Sequence, residues 1–322
     1  MVTFLVTGAA GFIGRSIAAE LLRQGKRVRG IDNFSTGKRE NLHGLEAMDF
    51  IEADINDAAA VSQACREVEC IFHEAAIPSV PRSVEDPVTS NHAGVSGTVR
   101  LLVAAKDAAV RRVVFAGSSA VYGNTPTLPK SEDMPPNPIS PYAVSKLAGE
   151  YYLKSFTRVY GLETVTIRYF NVFGPYQDPT SEYSGVLAKF SLKMLAGQMP
   201  TIFGDGEQSR DFTYIDNVVH GNLLAAAAPA ELVSGGVFNV ATGTRISLNQ
   251  TVEILKAATE YSGEVKYAPE RGGDVKHSLA DISRAKECLG YEPLVQFREG
   301  LERTVAWYRS MEEQAKSQSG GK

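Results

Sequence analysis

Val2-Thr3-Phe4-Leu5-Val6-Thr7-Gly8-Ala9-Ala10-Gly11-Phe12-Ile13-Gly14 reads as an apolar strand that turns into a helix through a glycine-lined loop. Gly8 permits the tight turn, Gly11 lets the backbone approach a pyrophosphate, and Gly14 lets the helix pack closely on the strand with its N-terminus facing the phosphates. The two residues between each pair of glycines depart from the dehydrogenase fingerprint, and alone the run also fits a plain structural turn. The next strand, Lys26-Arg27-Val28-Arg29-Gly30-Ile31, ends in Asp32, roughly the twenty residues downstream at which a carboxylate accepts from an adenosine ribose. Together the two features predict a dinucleotide site. Asp32 would repel a 2′-phosphate, which favours NAD over NADP. Lys38 and Arg39 follow closely; they keep NADP open by charge, or else form a solvated turn. Asp49-Phe50-Ile51-Glu52-Ala53-Asp54 and Cys70-Ile71-Phe72-His73-Glu74-Ala75-Ala76 read as third and fourth strands whose ends line the same crevice. Asp54 and Ile55 are then expected to flank the adenine, with Ala75 and Ala76 small enough for a cofactor to lie over them.

Composition agrees. The 322 residues are 43% hydrophobic, enough for a large core, and alternating strand and helix patterns predict an α/β Rossmann-type doubly wound parallel sheet with helices on both faces. A net charge of −4 without a basic stripe points away from nucleic acid and from an anionic membrane. No basic leader and no apolar run of membrane-spanning length are read, so the cytoplasm is the expectation. Cys65, Cys70 and Cys288 lack paired ligand spacing and read as buried free thiols, with no metal site expected. No internal repeat is read, and the polar tail from Glu312 to Lys322 is expected to fray.

The chemistry lies mid-chain. Arg112-Val113-Val114-Phe115-Ala116-Gly117 reads as a fifth strand delivering Ser118 and Ser119, and Ser140-Pro141-Tyr142-Ala143-Val144-Ser145-Lys146 opens a helix with Pro141 in its first turn. Four apart, Tyr142 and Lys146 share a face, where the ammonium can lower the tyrosine's pKa by charge and hydrogen bonding. Such a tyrosine is a base for an alcohol proton, aided by an oxidised nicotinamide nearby. The bland alternative is a core Tyr and a surface Lys; the Ser-ended strand ahead of them in a dinucleotide-binding chain favours catalysis.

The glycine pattern, Asp32, Ser118-Ser119-Ala120-Val121-Tyr122-Gly123 and the Tyr142/Lys146 pair resemble the extended short-chain dehydrogenase/reductase superfamily, nearly end to end. Within it the chain looks most like nucleotide-sugar 4-epimerases, particularly bacterial UDP-N-acetylglucosamine/UDP-glucose 4-epimerases. His73 to Ser83, Arg168-Tyr169-Phe170-Asn171-Val172-Phe173-Gly174-Pro175, Gly204-Asp205-Gly206 through Arg210-Asp211, and Arg271-Gly272-Gly273-Asp274 support this. The resemblance implies an NAD-binding Rossmann domain over residues 1–170, with later segments returning to it, and a smaller α/β nucleotide-sugar domain over 171–322. It adds Asn33, Phe34, Ser35, Thr36, Gly37, Ile77, Asn91 and Tyr169 to the cofactor contacts. For the substrate it implies Ser79, Asn171 at the diphosphate or sugar, and Val186, Leu187 and Lys189 near uracil and phosphates. Phe203 would pack on the base, Arg210 and Arg271 pair with the diphosphate, and Asp274 accept from the ribose. Forked guanidinium donors suit phosphate oxygens, although each arginine alone could be a structural ion pair.

The implied reaction is epimerisation through a bound 4-keto sugar. Tyr142, assisted by Ser118 or Ser119, takes the 4-hydroxyl proton while carbon-4 hydride passes to NAD; the keto sugar turns over and is reduced on its other face. Sugar 4,6-dehydratases carry an acid and a base where this chain has Ser119 and Ala120, so dehydration ranks lower. A UDP-glucuronate 4-epimerase, a decarboxylase using the same intermediate, and an idle NAD-binding sensor or scaffold are the alternatives. Ser278 corresponds to a gate beside the carbon-2 substituent where tyrosine excludes N-acetyl groups; serine implies that UDP-glucose and UDP-N-acetylglucosamine are both used. The base rests on resemblance, with dTDP and GDP open. Residues 91–108 and 141–160 read as helices with apolar faces that fit internal core or a second copy; the resemblance implies a homodimer paired through two such helices in a four-helix bundle.

Overall fold

The computed structural model describes residues 3–178, 185–270 and 276–319. Its centre is a seven-stranded sheet: β1 (Thr3–Thr7), β2 (Arg27–Asp32), β3 (Asp49–Glu52), β4 (Val68–His73), β5 (Arg112–Ser118), β6 (Glu163–Tyr169) and β7 (Gly236–Val240). All pairings are parallel, in the order β7-β6-β5-β4-β1-β2-β3. The chain runs outward from β1 through β2 to β3, then crosses back so that β4 lies on β1's other side. That reversal opens a crevice beyond the C-terminal ends of β1 and β4.

Strand side chains alternate between two cores, as their two-residue period requires. Val6, Val114 and Ala116 join one apolar cluster; their neighbours Leu5, Val113 and Phe115 join the other. The first cluster is covered by α1 (Phe12–Arg23) and α8 (Ile215–Ala227), the second by α2 (Ala58–Ala64), α5 (Gly97–Asp107) and α6 (Pro141–Tyr160). Each large side chain so buried contributes about 1.5–3 kcal/mol. Two short helices, α3 (Val80–Glu85) and α4 (Pro87–Asn91), precede α5, and α7 (Val186–Leu195) follows the main sheet's sixth strand. Three minor strand pairs carry the later loops: Val172–Phe173 with Thr213–Tyr214, Ser209–Arg210 with Ile246–Ser247, and Thr201–Phe203 with Lys266–Ala268. No described helix is long and apolar enough to cross a membrane.

Two expectations differ in detail. The helix read over 91–108 is present with one irregularity: α4 runs without a gap into a π turn at His92–Ser96 and from there into α5. Gly94 and Gly97 lie against Ser145 and Ile55 with no room for a Cβ, so this segment is shaped by close approach to α6 and the loop after β3. The third strand ends at Glu52 rather than Asp54, and the fourth at His73 rather than Ala76.

Helix α6 carries the Tyr142/Lys146 pair and is fixed at both ends and in the middle. Ser140 caps it by accepting from Ala143 N at 3.2 Å, Pro141 occupies the first turn, and Gly161 ends it in the left-handed region at φ 71°. Midway, Gly149 lets the helix settle on Phe115. Next to it Glu150 receives both Nε and Nη2 of Arg168 from β6, at 2.9 and 2.7 Å, with both side chains buried. Removing one member strands the other's charge in the interior. Glu150→Ala is therefore expected to lower unfolding free energy by about 3–5 kcal/mol in urea titrations; a loss below about 1 kcal/mol, the range of exposed pairs, would mean that this pair does not dock α6.

Candidate active site

A cleft of about 1300 Å³ runs over the C-terminal ends of the strands, larger than the pocket of a single drug-sized ligand. Its floor is backbone. Gly8, at φ 68°, would place a Cβ 2.8 Å from Ala75 N, and a Cβ on Gly14 would stand 2.2 Å from Gly8 O. Only glycine lets the three segments meet. Gly11 precedes α1 in extended conformation without a side-chain cap, so the first-turn N–H groups at Phe12 and Ile13 face the cleft.

Asp32 closes one end. Its Oδ2 accepts from Ala10 N at 3.0 Å and its Oδ1 from Phe34 N at 2.7 Å; burial raises its pKa against the hydrogen bonds of this loop. Asn33, Ser35, Thr36, Asp54 and Ile55 line this end, and Asn33 Nδ2 donates to Asp54 at 2.7 Å. The two cations that kept a 2′-phosphate in play both meet carboxylates: Lys38 pairs with Asp178 at 2.9 Å and Arg39 with Glu52 at 2.5 Å. Phe34 points away onto Phe50 and under Arg39, and Gly37 packs on the Ala10 backbone; neither is on the cleft wall. Asn91 is exposed at the end of α4, and Ala93 takes the place on the wall instead. Ala75, Ala76, Ile77 and Tyr169 do line the cleft.

Ser118, Ser119, Tyr142 and Lys146 converge at the middle of the cleft. Ser118 and Ser119 both lie on the wall beside Tyr142, and Ser118 Oγ accepts from Ala120 N at 3.2 Å. Ser83 Oγ accepts from Tyr142 N at 3.1 Å and fixes the helix start. Lys146 is buried, and its Nζ donates to Ala116 O at 2.8 Å, near the Phe115 ring at 5.1 Å. The expected lowering of the tyrosine's pKa is not what this arrangement gives. Burial raises Tyr142; the Ser118 side chain opposes that, and the charge of Glu74 adds to it. The ammonium is aimed at a carbonyl of β5, 5.9 Å from the tyrosine ring centroid, so burial wins.

Glu74 is the residue whose importance the sequence reading passed over. It follows β4 directly, lines the cleft, and accepts from Tyr169 Oη at 2.8 Å. An acidic residue ending an otherwise apolar strand was the available signal. Its neighbour His73 bonds Thr7 and Thr98 through its two ring nitrogens, at 2.8 and 2.9 Å, tying β1, β4 and α5 together.

At the far end, Ser79, Asn171, Arg210 and Ser278 line the cleft. Asn171 Nδ2 donates to Ser278 Oγ at 3.1 Å and to Asp211 O at 2.9 Å. Arg210 Nη1 donates to the carbonyls of Ser209 and Lys276, both at 3.0 Å. Ser79 also caps α3 through Arg82 N. Asp211, buried behind them, accepts from Thr242 N and Oγ1, Gly243 N and Ala280 N, and burial pushes its carboxyl up to about 6. It thereby ties together the loops that carry Arg210 and Ser278. Leu187 is core, Val186 is half-buried at the start of α7, Lys189 is exposed on that helix, and Phe203 is half-buried on its short strand; none of the four is on the cleft wall. Arg271 and Asp274 lie outside the described residues.

Comparison with known proteins gives the same answer as the geometry. Residues 4–241 match the NAD dependent epimerase/dehydratase family. The chain is 44% identical to UDP-glucose 4-epimerase of Mycolicibacterium smegmatis over 95% of its length and 98% of the relative's. Among solved structures it resembles UDP-N-acetylglucosamine 4-epimerase from Methanobrevibacter ruminantium in complex with UDP-N-acetylmuramic acid, with TM-score 0.91, 42% identity and coverage of 96% and 99% of the two chains. It also resembles UDP-glucose 4-epimerase from Thermotoga maritima with UDP-glucose, with TM-score 0.91, 39% identity and the same coverage. The chain belongs to the NAD dependent epimerase/dehydratase family.

Proposed function

We propose that the protein is an NAD-dependent nucleotide-sugar 4-epimerase that interconverts UDP-glucose with UDP-galactose and UDP-N-acetylglucosamine with UDP-N-acetylgalactosamine. The observation that carries this is one continuous cleft joining a side-chain-free glycine floor, the Ser118–Tyr142–Lys146 group and the Asn171–Ser278 wall. The residues fit the dinucleotide: α1's open first turn and Gly8, Gly11 and Gly14 would hold the pyrophosphate, Asp32 the adenosine ribose, and Ala75 and Ala76 the face of the nicotinamide. Bound NAD supplies an acceptor for the carbon-4 hydride and gives it back.

The chain's own residues do the rest. Tyr142 takes the 4-hydroxyl proton at Oη, assisted by Ser118 or Ser119, and returns a proton after the sugar has presented its other face. Arg210 and Asn171 hold the diphosphate end, so the keto sugar stays tethered while it turns. Ser278, small and already hydrogen-bonded to Asn171, leaves space at carbon 2. A second reading, a UDP-uronate as substrate, draws on Arg82 on the cleft wall, a fork donor for a carboxylate.

The protein is further proposed to work in the cytoplasm as a homodimer. Val144, Tyr151, Val159 and Tyr160 of α6 and Val103 of α5 are exposed, an apolar surface that a second copy would cover.

Incubation of the purified protein with UDP-N-acetylglucosamine and no added cofactor should yield the 4-epimer by proton NMR, and Tyr142→Phe should lower the rate about 10²–10⁴-fold. Turnover of UDP-glucuronate alone would replace this reading by the second. Ser278→Tyr should cut turnover of N-acetylated substrates, relative to UDP-glucose, by about 10–200-fold; an unchanged ratio would remove the gate. Light scattering after size exclusion should give twice the chain mass, and Tyr151→Asp should shift it toward one; a single-chain mass for the native protein would refute the dimer.

A further inference from the structure

Soon after β6 ends at Tyr169, the chain is already touching the far bank of the cleft. Tyr176, Gln177 and Asp178 line the cleft together with Lys38 and Asn41 from the stretch after β2, although β6 and β2 stand four strand spacings apart in the sheet, roughly 19 Å. The segment thus spans the crevice, from the end that carries Asn171 to the end that carries Asp32.

Two contacts fasten it there. The Arg15 guanidinium of α1 lies 3.5 Å from the centre of the Tyr176 ring, and Trp307 of the C-terminal helix (Phe297–Ser319) meets the same ring at 5.1 Å between centroids. Asp178 Oδ2 takes Lys38 Nζ at 2.9 Å, a partly exposed pair that alone is worth little. The groups that receive the segment form one bank: Arg15 Nε donates to Asn41 O at 3.1 Å, and Asn41 Nδ2 donates to Ala10 O, in the glycine loop, at 2.8 Å. Arg15 itself is not on the cleft wall, so it reaches the cleft through Tyr176. Tyr176 sits at φ 68°, in the left-handed region that a bulky side chain adopts only where its surroundings over-determine it. Gln177 helps to do so, donating N–H to Gly174 O at 3.3 Å and Nε2 to Val172 O at 3.1 Å.

We propose that Tyr176–Asp178 is a clasp that retains NAD in the cleft, fastened mainly by the stack of Arg15 on Tyr176 and opened when the dinucleotide enters or leaves. The inference rests on the reading above, in which NAD is restored within every turnover and has no need to exchange. All the fastening contacts join protein groups to protein groups. They favour the closed segment equally with and without cofactor, so loosening them changes how fast NAD passes and leaves its affinity nearly as it was.

Tyr176→Leu tests this on the purified holoprotein. Released NAD is followed at 340 nm with excess alcohol dehydrogenase and ethanol, and Kd comes from equilibrium dialysis of the holoprotein at serial dilutions. Release should quicken about tenfold, the equivalent of a partly desolvated cation over a ring, while Kd stays within about threefold. Tyr176→Phe, which keeps the ring, should release NAD at the native rate. In an Arg15→Met background, Tyr176→Leu should add less than about twofold, because the two residues act through one contact. If Tyr176→Leu does not fold, Arg15→Met alone supplies the loosened clasp. Unchanged release in the loosened protein overturns the proposal. So does a Kd weakened as much as release is quickened, which would make Tyr176 a direct holder of the cofactor, and so do independent effects of Arg15 and Tyr176. Release is measured without sugar, so the two readings fail separately: quickened release in a protein that epimerises nothing removes the sugar reading, and epimerisation with unmoved release removes the clasp.

Discussion

Everything in this structure depends on backbone meeting backbone where β1, α1 and β4 converge. The 2.2 Å that a Cβ on Gly14 would leave to Gly8 O, and the 2.8 Å from Gly8 to Ala75 N, mean that the loop after β1 is wedged between its own helix and the loop after β4. Because β1 and β4 are adjacent only through the reversal of strand order, the wedge lies where the sheet's topology already opens a crevice. His73 holds that junction from below, one nitrogen on β1's Thr7 and the other on α5's Thr98. A cradle of peptide groups needs such rigidity, since it has no side chains with which to adapt.

The second fixed element is α6, and its attachment explains the electrostatics above it. Its lysine is tied to a carbonyl of β5, its glycine lies on Phe115, and its glutamate is paired with Arg168 of β6. Three consecutive contacts along one face leave little freedom for Tyr142 to turn. Lys146 is buried beneath the cleft while Tyr142 and Glu74 are half-buried on its wall, and burial works against the charged form of each.

Much of this was legible in the sequence because it rests on local pattern. Glycine spacing, the Asp32 carboxylate at the end of β2, and a serine-ended strand followed by a Pro-Tyr helix each occupy a short stretch, and each appears in the structure at the expected place. What was missed depends on where side chains turn. Phe34 belongs to the right loop but rotates onto Phe50; the helix at 91–108 had the right apolar content, yet its π turn comes from contacts with Ser145 and Ile55, far along the chain. Spacing of four puts Lys146 on the tyrosine's face without saying which atom the ammonium will choose, here the carbonyl of Ala116. Glu74 and Asp211 gain their importance from partners about 95 and 31 residues distant, which no local window contains.

One division runs through the molecule. Ser118, Tyr142 and Lys146 are carried by β5 and α6, whereas Asn171, Arg210 and Ser278 come from segments after the sixth strand, gathered around Asp211, whose main-chain carbonyl takes Asn171 and whose carboxylate takes Thr242, Gly243 and Ala280. On the proposed function, reactivity and most of the sugar-facing wall are therefore inherited through separate lengths of chain, Ser79 and Arg82 being the exceptions. Such a lineage can diversify its substrates by redrafting loops while the reacting core is left as it is.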